Sequence, residues 1–208
     1  MTTFFLIRHA VNEWVKTGKL AGWTPGVHLN EDGKAQAEAL GKRLATSKLA
    51  GIYSSPLERT METAAALAQY HPALSVQIEM GIGEVRYGEW QGKAIKKLAK
   101  KKSWMIVQHY PTRMQFPEGE TMRGAQARAV DTLERLHLEH PEDTVAVVSH
   151  SDVIKMIVAH YLGMHLDMFQ RVMISPASLT VLGLNDGRPY IAALNDTSHL
   201  IPLKQDKE

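Results

Sequence analysis

Phe4-Phe5-Leu6-Ile7-Arg8-His9 is an apolar run that ends in two nitrogen-rich side chains, and Val145-Ala146-Val147-Val148-Ser149-His150 repeats the pattern far along the chain. Short, continuous apolar runs rich in β-branched and aromatic residues read as buried strands. Buried strands of this kind belong to a parallel sheet, and such sheets bind ligands in the crevice outside their carboxyl ends. Two strands that both end in histidine can therefore bring two imidazoles to one place. That predicts chemistry, and the neighbouring arginines indicate its kind.

Outward from these two runs, strand-like and helix-like stretches alternate, the pattern of an α/β fold. Strands are expected at residues 3–7, 51–54, 75–78, 144–149, 178–184 and 189–194. The last two flank Asn185-Asp186-Gly187-Arg188, whose Asp-Gly pair predicts an antiparallel hairpin. Asn30 suits the N-cap of a helix running to Leu44, with Glu31 and Asp32 in its first turn. Pro56 suits the start of a helix carrying Arg59. Further helices are expected from Thr121 to Leu138 and from Asp152 to Leu162, the latter behind His150. The expected architecture is a three-layer α/β/α sandwich, its sheet mostly parallel with an antiparallel edge hairpin. Residues 1–208 read as a single domain, with a short cap insertion at about 93–117 over the strand ends. Ile95, Leu98, Ala99 and Trp104 would form one helical stripe on that insertion.

Composition narrows the function. The chain has 208 residues, 44% hydrophobic and 22% charged, enough for a real core. A formal charge of +2 gives no support to a nucleic-acid or membrane partner. With no cysteine, disulfides, thiolate metal sites and thiol nucleophiles are excluded. No apolar stretch reaches the roughly 18 residues of a membrane span, and Met1-Thr2-Thr3 lacks a basic leader, so a cytoplasmic location is expected. No metal is expected, because no His-Glu-x-x-His or comparable ligand spacing occurs.

A metal-free phosphate-monoester site needs a nucleophile, fixed positive charge on the non-bridging oxygens and an acid for the leaving alcohol. His9 suits the first role if one ring nitrogen is neutral and the other donates to a fixed acceptor. Arg8 offers a planar fork for phosphate oxygens, and Arg59 stands in the first turn of its helix, where backbone amides add to the guanidinium. His150, if protonated, is a further donor. Glu84, in Gly83-Glu84-Val85-Arg86-Tyr87-Gly88, is the candidate general acid and base.

At these residues the chain resembles the histidine phosphatase superfamily, in the branch that includes cofactor-dependent phosphoglycerate mutases. Arg8-His9-Ala10 is similar to the family's Arg-His-Gly, and Ser54-Ser55-Pro56-Leu57-Glu58-Arg59-Thr60 to its second-arginine motif. Gly22-Trp23, the run from Leu29 to Ala37, Glu84 to Gly88 with Gln91-Gly92, the run from Pro117 to Thr121, and Val148-Ser149-His150 follow in the family's order. The resemblance covers about residues 3 to 160. It implies a phosphohistidine on His9, oxygens held by Arg8, Arg59 and His150, and protonation of the leaving group by Glu84. Asn12, Gly22, Trp23, Tyr87 and Ser151 are further expected substrate contacts. The substrate would be a small phosphorylated metabolite, without nucleic acid or membrane, and a homodimer stays open.

Departures shape the alternatives. Ala10 and Ser151 replace glycines, and Val11 stands where the family often has Glu, leaving Glu84 to supply the carboxylate unless Glu13 swings in. Ala10 should be tolerated if its φ is negative. Val15 replaces a phosphate-binding Asn of the glycolytic mutases. Those mutases also have an Arg-Arg pair, absent here, and a Thr where this chain has Ala21. A phosphatase is therefore preferred over a phosphoglycerate mutase-like phosphomutase, which would require 2,3-bisphosphoglycerate; a non-catalytic phospholigand binder is the third reading. Of the other histidines, His137 and His140 share a helix face and read as solvated, and His199 reads as structural rather than part of the site. The lysines 93, 96, 97, 100, 101 and 102 are either a solvated helix face or a rim attracting anions. Trp23 and Trp104 are packing residues or walls of the pocket.

Overall fold

Six strands, β1 (Thr2–Arg8), β2 (Leu49–Ser54), β3 (Val76–Ile78), β4 (Thr144–Ser149), β5 (Leu179–Leu184) and β6 (Tyr190–Asp196), form one sheet in the order β3-β2-β4-β1-β5-β6. The computed structural model describes residues 1–185 and 187–200. Pairings from β3 to β1 are parallel, and those of β5 with β1 and with β6 antiparallel. Of the pair expected at the hairpin turn, Asp186 lies outside the described residues. The strands fall where expected to within two residues at their ends.

Alternation along β1 and β4 divides the core. Phe4, Leu6, Val145 and Val147 face one layer, while Ile7, Ala146 and Val148 face the other. The first layer contains α6 (Met122–Glu139) and α7 (Ser151–Tyr161); the second contains α2 (Glu31–Leu44) and α3 (Glu58–Ala68). Leu40 and Leu67 are fully buried there, each worth roughly 1.5–3 kcal/mol of burial. Capping sets the helix starts. Asn30 Oδ1 accepts from Gly33 N at 2.9 Å, and Thr121 Oγ1 from Gly124 N at 2.9 Å.

The segment after Glu84 departs from the single helical stripe expected. It forms α4 (Ile95–Leu98) and α5 (Lys102–His109), after the one-turn α1 (Glu13–Thr17) near the amino end. Tight backbone bonds from Lys100 N to Lys97 O and Lys101 N to Leu98 O close the first piece. Leu98 is buried but Ala99 is exposed. The segment is stapled at its base: Glu89 N donates to Pro117 O and Glu120 N to Arg86 O, both at 2.9 Å. Gly88 (φ +52°) serves this staple, because a Cβ there would lie 1.9 Å from Pro117 O.

His137 and His140 are not solvated. Thr2 Oγ1 donates to His140 O at 2.6 Å, so it accepts from His137 Nδ1 at 2.7 Å, while His140 Nε2 pairs with Tyr53 OH at 2.7 Å. They tie the end of α6 to the amino end of β1 through Thr2 and to β2 through the Tyr53 hydroxyl. Among the described residues, no helix is long and apolar enough to cross a membrane.

Gly33 lets α2 pack against the chain leaving β1, since a Cβ would meet Val11 O at 1.9 Å. Gly33→Ala is expected to lower the unfolding free energy by about 1–3 kcal/mol in urea titration, although alanine is the better helix former.

Candidate active site

Parallel pairing places Arg8 opposite Ser149, and His9 N continues the ladder to Ser149 O at 2.9 Å. His9 and His150 thus leave adjacent strands side by side, with ring centroids 5.3 Å apart and planes at 57°. His9 Nδ1 lies 2.8 Å from Ala10 O; a carbonyl only accepts, so Nδ1 carries the proton and Nε2 keeps its lone pair. Burial first, then the Arg59 and Arg8 charges, hold the His9 pKa well below the usual imidazole value. The ring is neutral. Ala10 is buried with no left-handed φ, and its N–H donates to Thr63 Oγ1 at 3.1 Å. The methyl group there introduces no backbone strain.

Cationic and amide donors collect around His9. Arg59 is 1% exposed, with Nη2 donating to Gly22 O at 2.9 Å and lying 3.3 Å from His150 Nδ1. A guanidinium cannot accept, so His150 Nδ1 is the acceptor and its Nε2–H donates to Ser55 Oγ at 2.8 Å. Burial, Arg59 and His9 hold the His150 pKa well below the usual value. Arg8 Nη1 donates to Ile174 O at 2.7 Å, and Asn12 Oδ1 caps α1 by accepting from Val15 N at 2.9 Å. Arg8 Nε, Asn12 Nδ2 and Arg59 Nη1 are buried without a partner among the described residues, and all three residues line one pocket with His9. Ser178 Oγ, just before β5, is the fourth such atom. Leaving buried donors unmet costs about 1–3 kcal/mol each, and an anion between them would satisfy them together. The amino end of α7, at Ser151 and Asp152, joins this pocket and has no side-chain cap.

Glu84 stands across the pocket, its Oε2 3.8 Å from His150 Nδ1. Its Oε1 accepts from Val85 N at 2.9 Å and is 3.4 Å from Tyr87 OH, which donates to Asp152 Oδ2 at 2.9 Å. Burial, then the neighbouring Asp152 charge, push the Glu84 pKa up to about 7, against the opposing pull of Arg59. Burial and the two carboxylates also raise Tyr87, which stays a hydroxyl donor.

Other expected residues act around the pocket rather than in it. Gly22 supplies the carbonyl that holds Arg59. Trp23 Nε1 donates to Glu84 O at 2.6 Å, and its ring carries the Arg86 guanidinium 4.3 Å above its centroid. Trp104 stacks on Trp90 instead. Glu13 is exposed on α1 and does not replace the carboxylate missing at Val11. His199 bonds Arg43 and Ala177 O, on the loop behind Arg8. Sequence reasoning missed three residues. Asp152 stands two residues past His150, and Lys19 and Trp14 border the pocket from the segment after His9. It also missed Arg128, which donates to Gly81 O, Gly83 O and Glu84 O and pairs with Glu120 at 2.7 Å, fixing the loop that carries Glu84.

Residues 4–197 match the histidine phosphatase superfamily, branch 1. Phosphoserine phosphatase 1 of Hydrogenobacter thermophilus is 33% identical over 96% of this chain and 95% of its own length. A metal-independent phosphoserine phosphatase of Arabidopsis thaliana is 28% identical over 96% of this chain and 84% of its own. Among solved structures, a phosphoserine phosphatase mutant of Entamoeba histolytica in complex with phosphoserine superposes with a TM-score of 0.88 at 25% identity, covering 97% of this chain and all of that one. The chain belongs to the histidine phosphatase superfamily.

Holding Glu84 protonated costs stability as pH rises. Below the ordinary carboxyl range both folded and unfolded chains are protonated; through about pH 7 the unfolded chain ionises more readily, so folding loses free energy. Glu84→Gln should therefore be more stable than the parent by up to about 3 kcal/mol near pH 8, with the gain shrinking near pH 5. Urea titrations at the two pH values check this.

Proposed function

We propose that the chain hydrolyses phosphate monoesters of small metabolites through a phosphohistidine on His9, without a metal. The observation that carries this is the meeting of a neutral, buried His9 with unpartnered donors on Arg8, Asn12 and Arg59 in one pocket. His9 Nε2 attacks phosphorus; the bond from phosphorus to the ester oxygen breaks, and protonated Glu84 gives its proton to that oxygen. The alcohol leaves. The Glu84 carboxylate then takes a proton from water, whose oxygen attacks phosphorus as the P–N bond breaks, returning neutral His9 and releasing orthophosphate.

Arg8 and Arg59 hold the equatorial oxygens and carry the positive charge that a metal would otherwise supply. A phosphate dianion beside His150 favours its protonated form, turning Nδ1 into a donor towards phosphate. Asn12, Tyr87 and the Ser151 end of α7 complete the oxygen contacts. The departures at Ala10 and Ser151 add no backbone strain and leave the amino end of α7 uncapped at the pocket, so the chain is read as catalytic and not as a binder. Hydrolysis is preferred over transfer to a second phosphorylated molecule because the Arg-Arg pair of the mutases is absent from the sequence. Residues 93–117 act as a short cap on one domain.

Incubation with p-nitrophenyl phosphate should give acid-labile, alkali-stable phosphate on His9, and His9→Ala should lose about 10³-fold or more in kcat/KM. EDTA should leave the rate unchanged. Absence of both label and turnover would sink the assignment.

The pH profile tests Glu84 separately. Deprotonation of Glu84 removes the acid, so kcat/KM falls as pH rises through about 7. Asp152→Asn removes the negative neighbour and lowers the Glu84 pKa, moving that descending limb to lower pH on the same substrate. A limb that stays in place would show that Glu84 is not the acid.

A further inference from the structure

A second cavity, of about 280 Å³, adjoins the phosphate pocket of about 230 Å³, and the two share Leu20, Tyr87, Ile95 and Asp152 as walls. It lies beneath α4 and α5, and its far side is aromatic. Trp90 stacks on Trp104 with centroids 6.1 Å apart, and Phe116 packs edge-on to both Trp90 and Tyr87 at 5.3 and 5.1 Å. Trp90 and Phe116 are almost wholly buried in the core, so this wall is fixed by packing on its other side. Among the described residues that line the cavity there is no Lys, Arg or His. Lys155, which bonds two residues of the lining, is engaged by Gln170 Oε1 at 3.1 Å and Asp152 Oδ1 at 3.5 Å.

A carboxylate placed here would meet aromatic faces and the Asp152 charge, with only the Gln108 and Gln170 amides and no cation among the described lining residues to receive it. An apolar group would meet the aromatic side chains of Tyr87, Trp90, Trp104 and Phe116 and the aliphatic ones of Leu20, Ile95 and Val107. We infer that this cavity receives the alcohol portion of the substrate, and that the preferred monoesters carry an uncharged apolar group about the size of one aromatic ring. This rests on the phosphatase reading above and adds to it a substrate class that differs from phosphoserine. Trp104 and Val107, both on α5, become specificity-determining residues.

The test compares ethyl phosphate, 3-phenylpropyl phosphate and O-phosphoserine on the whole chain. The first two are esters of simple primary alcohols, so their leaving groups are matched and differ in what fills the cavity. kcat/KM for the phenylpropyl ester should exceed that for ethyl phosphate and for phosphoserine by about tenfold or more, the scale expected for burying a ring-sized apolar group. Trp104→Ala removes the stacked wall, and Val107→Phe fills the space; each should lower the phenylpropyl-to-ethyl ratio. That ratio is taken within each variant, so a reduced folded fraction does not alter it. Turnover of all three esters with equal kcat/KM, or with phosphoserine preferred, would overturn the inference and leave the phosphatase reading intact. So would a ratio unmoved in both variants. Failure to hydrolyse any of the three, with no phosphohistidine formed, would overturn both.

Discussion

The parallel pairing of β1 with β4 is the constraint on which the site depends. Its register sets Arg8 against Ser149 and carries on one step to the His9 N–H, so both imidazoles emerge at the same level. A slip of one residue would turn every side chain of a strand to the opposite face. Here that would exchange Phe4 and Leu6 with Ile7 between two different apolar layers. The core thus enforces the register, and the register places the histidines. Precision at the pocket is inherited from packing well below it.

Electrostatics then decide what the pocket accepts. Arg8 and Arg59 lose hydration on burial, and with it their pKa values fall, although Glu84 pulls in the other direction. Burial, reinforced by their charges, lowers the pKa of both histidines, while burial and then Asp152 keep Glu84 inclined to hold its proton. In the proposed mechanism a neutral nucleophile and a protonated acid are thus both prepared by the same burial. In that mechanism an arriving phosphate dianion relieves the cationic side, and its negative charge further favours the protonated form of Glu84. The arrangement belongs to a phosphatase of the superfamily to which the chain belongs.

Much of this was legible in sequence because it is local. Apolar runs ending at His9 and His150, Asn30 and Thr121 as caps, and the ordered motifs around Arg59 and Glu84 each carry their own signal. What escaped was set by contacts between distant segments. Arg128 looks like any helix arginine until the loop carbonyls of Gly81, Gly83 and Glu84 fold onto it. His137 and His140 look solvated because nothing in their helix announces Thr2 and Tyr53 as partners. Trp104 reads equally as a packing residue or a pocket wall until the fold brings it onto Trp90. Asp152 was hidden because, two residues past His150, it reads in sequence simply as the start of a helix.

The staple from Glu89 to Pro117 and from Arg86 to Glu120 has a consequence for how such a protein diversifies. It brings the two ends of residues 90–116 together independently of what lies between them. Once the ends of a loop are joined by the framework, lengthening it costs only slowly growing closure entropy. With Trp90 and Phe116 fixed in the core, the part between them is an exchangeable module: it can be shortened, enlarged or rewritten while the Glu84 loop, held separately by Arg128, stays in place. New specificities can arise by replacing this one segment, with the reaction centre left untouched.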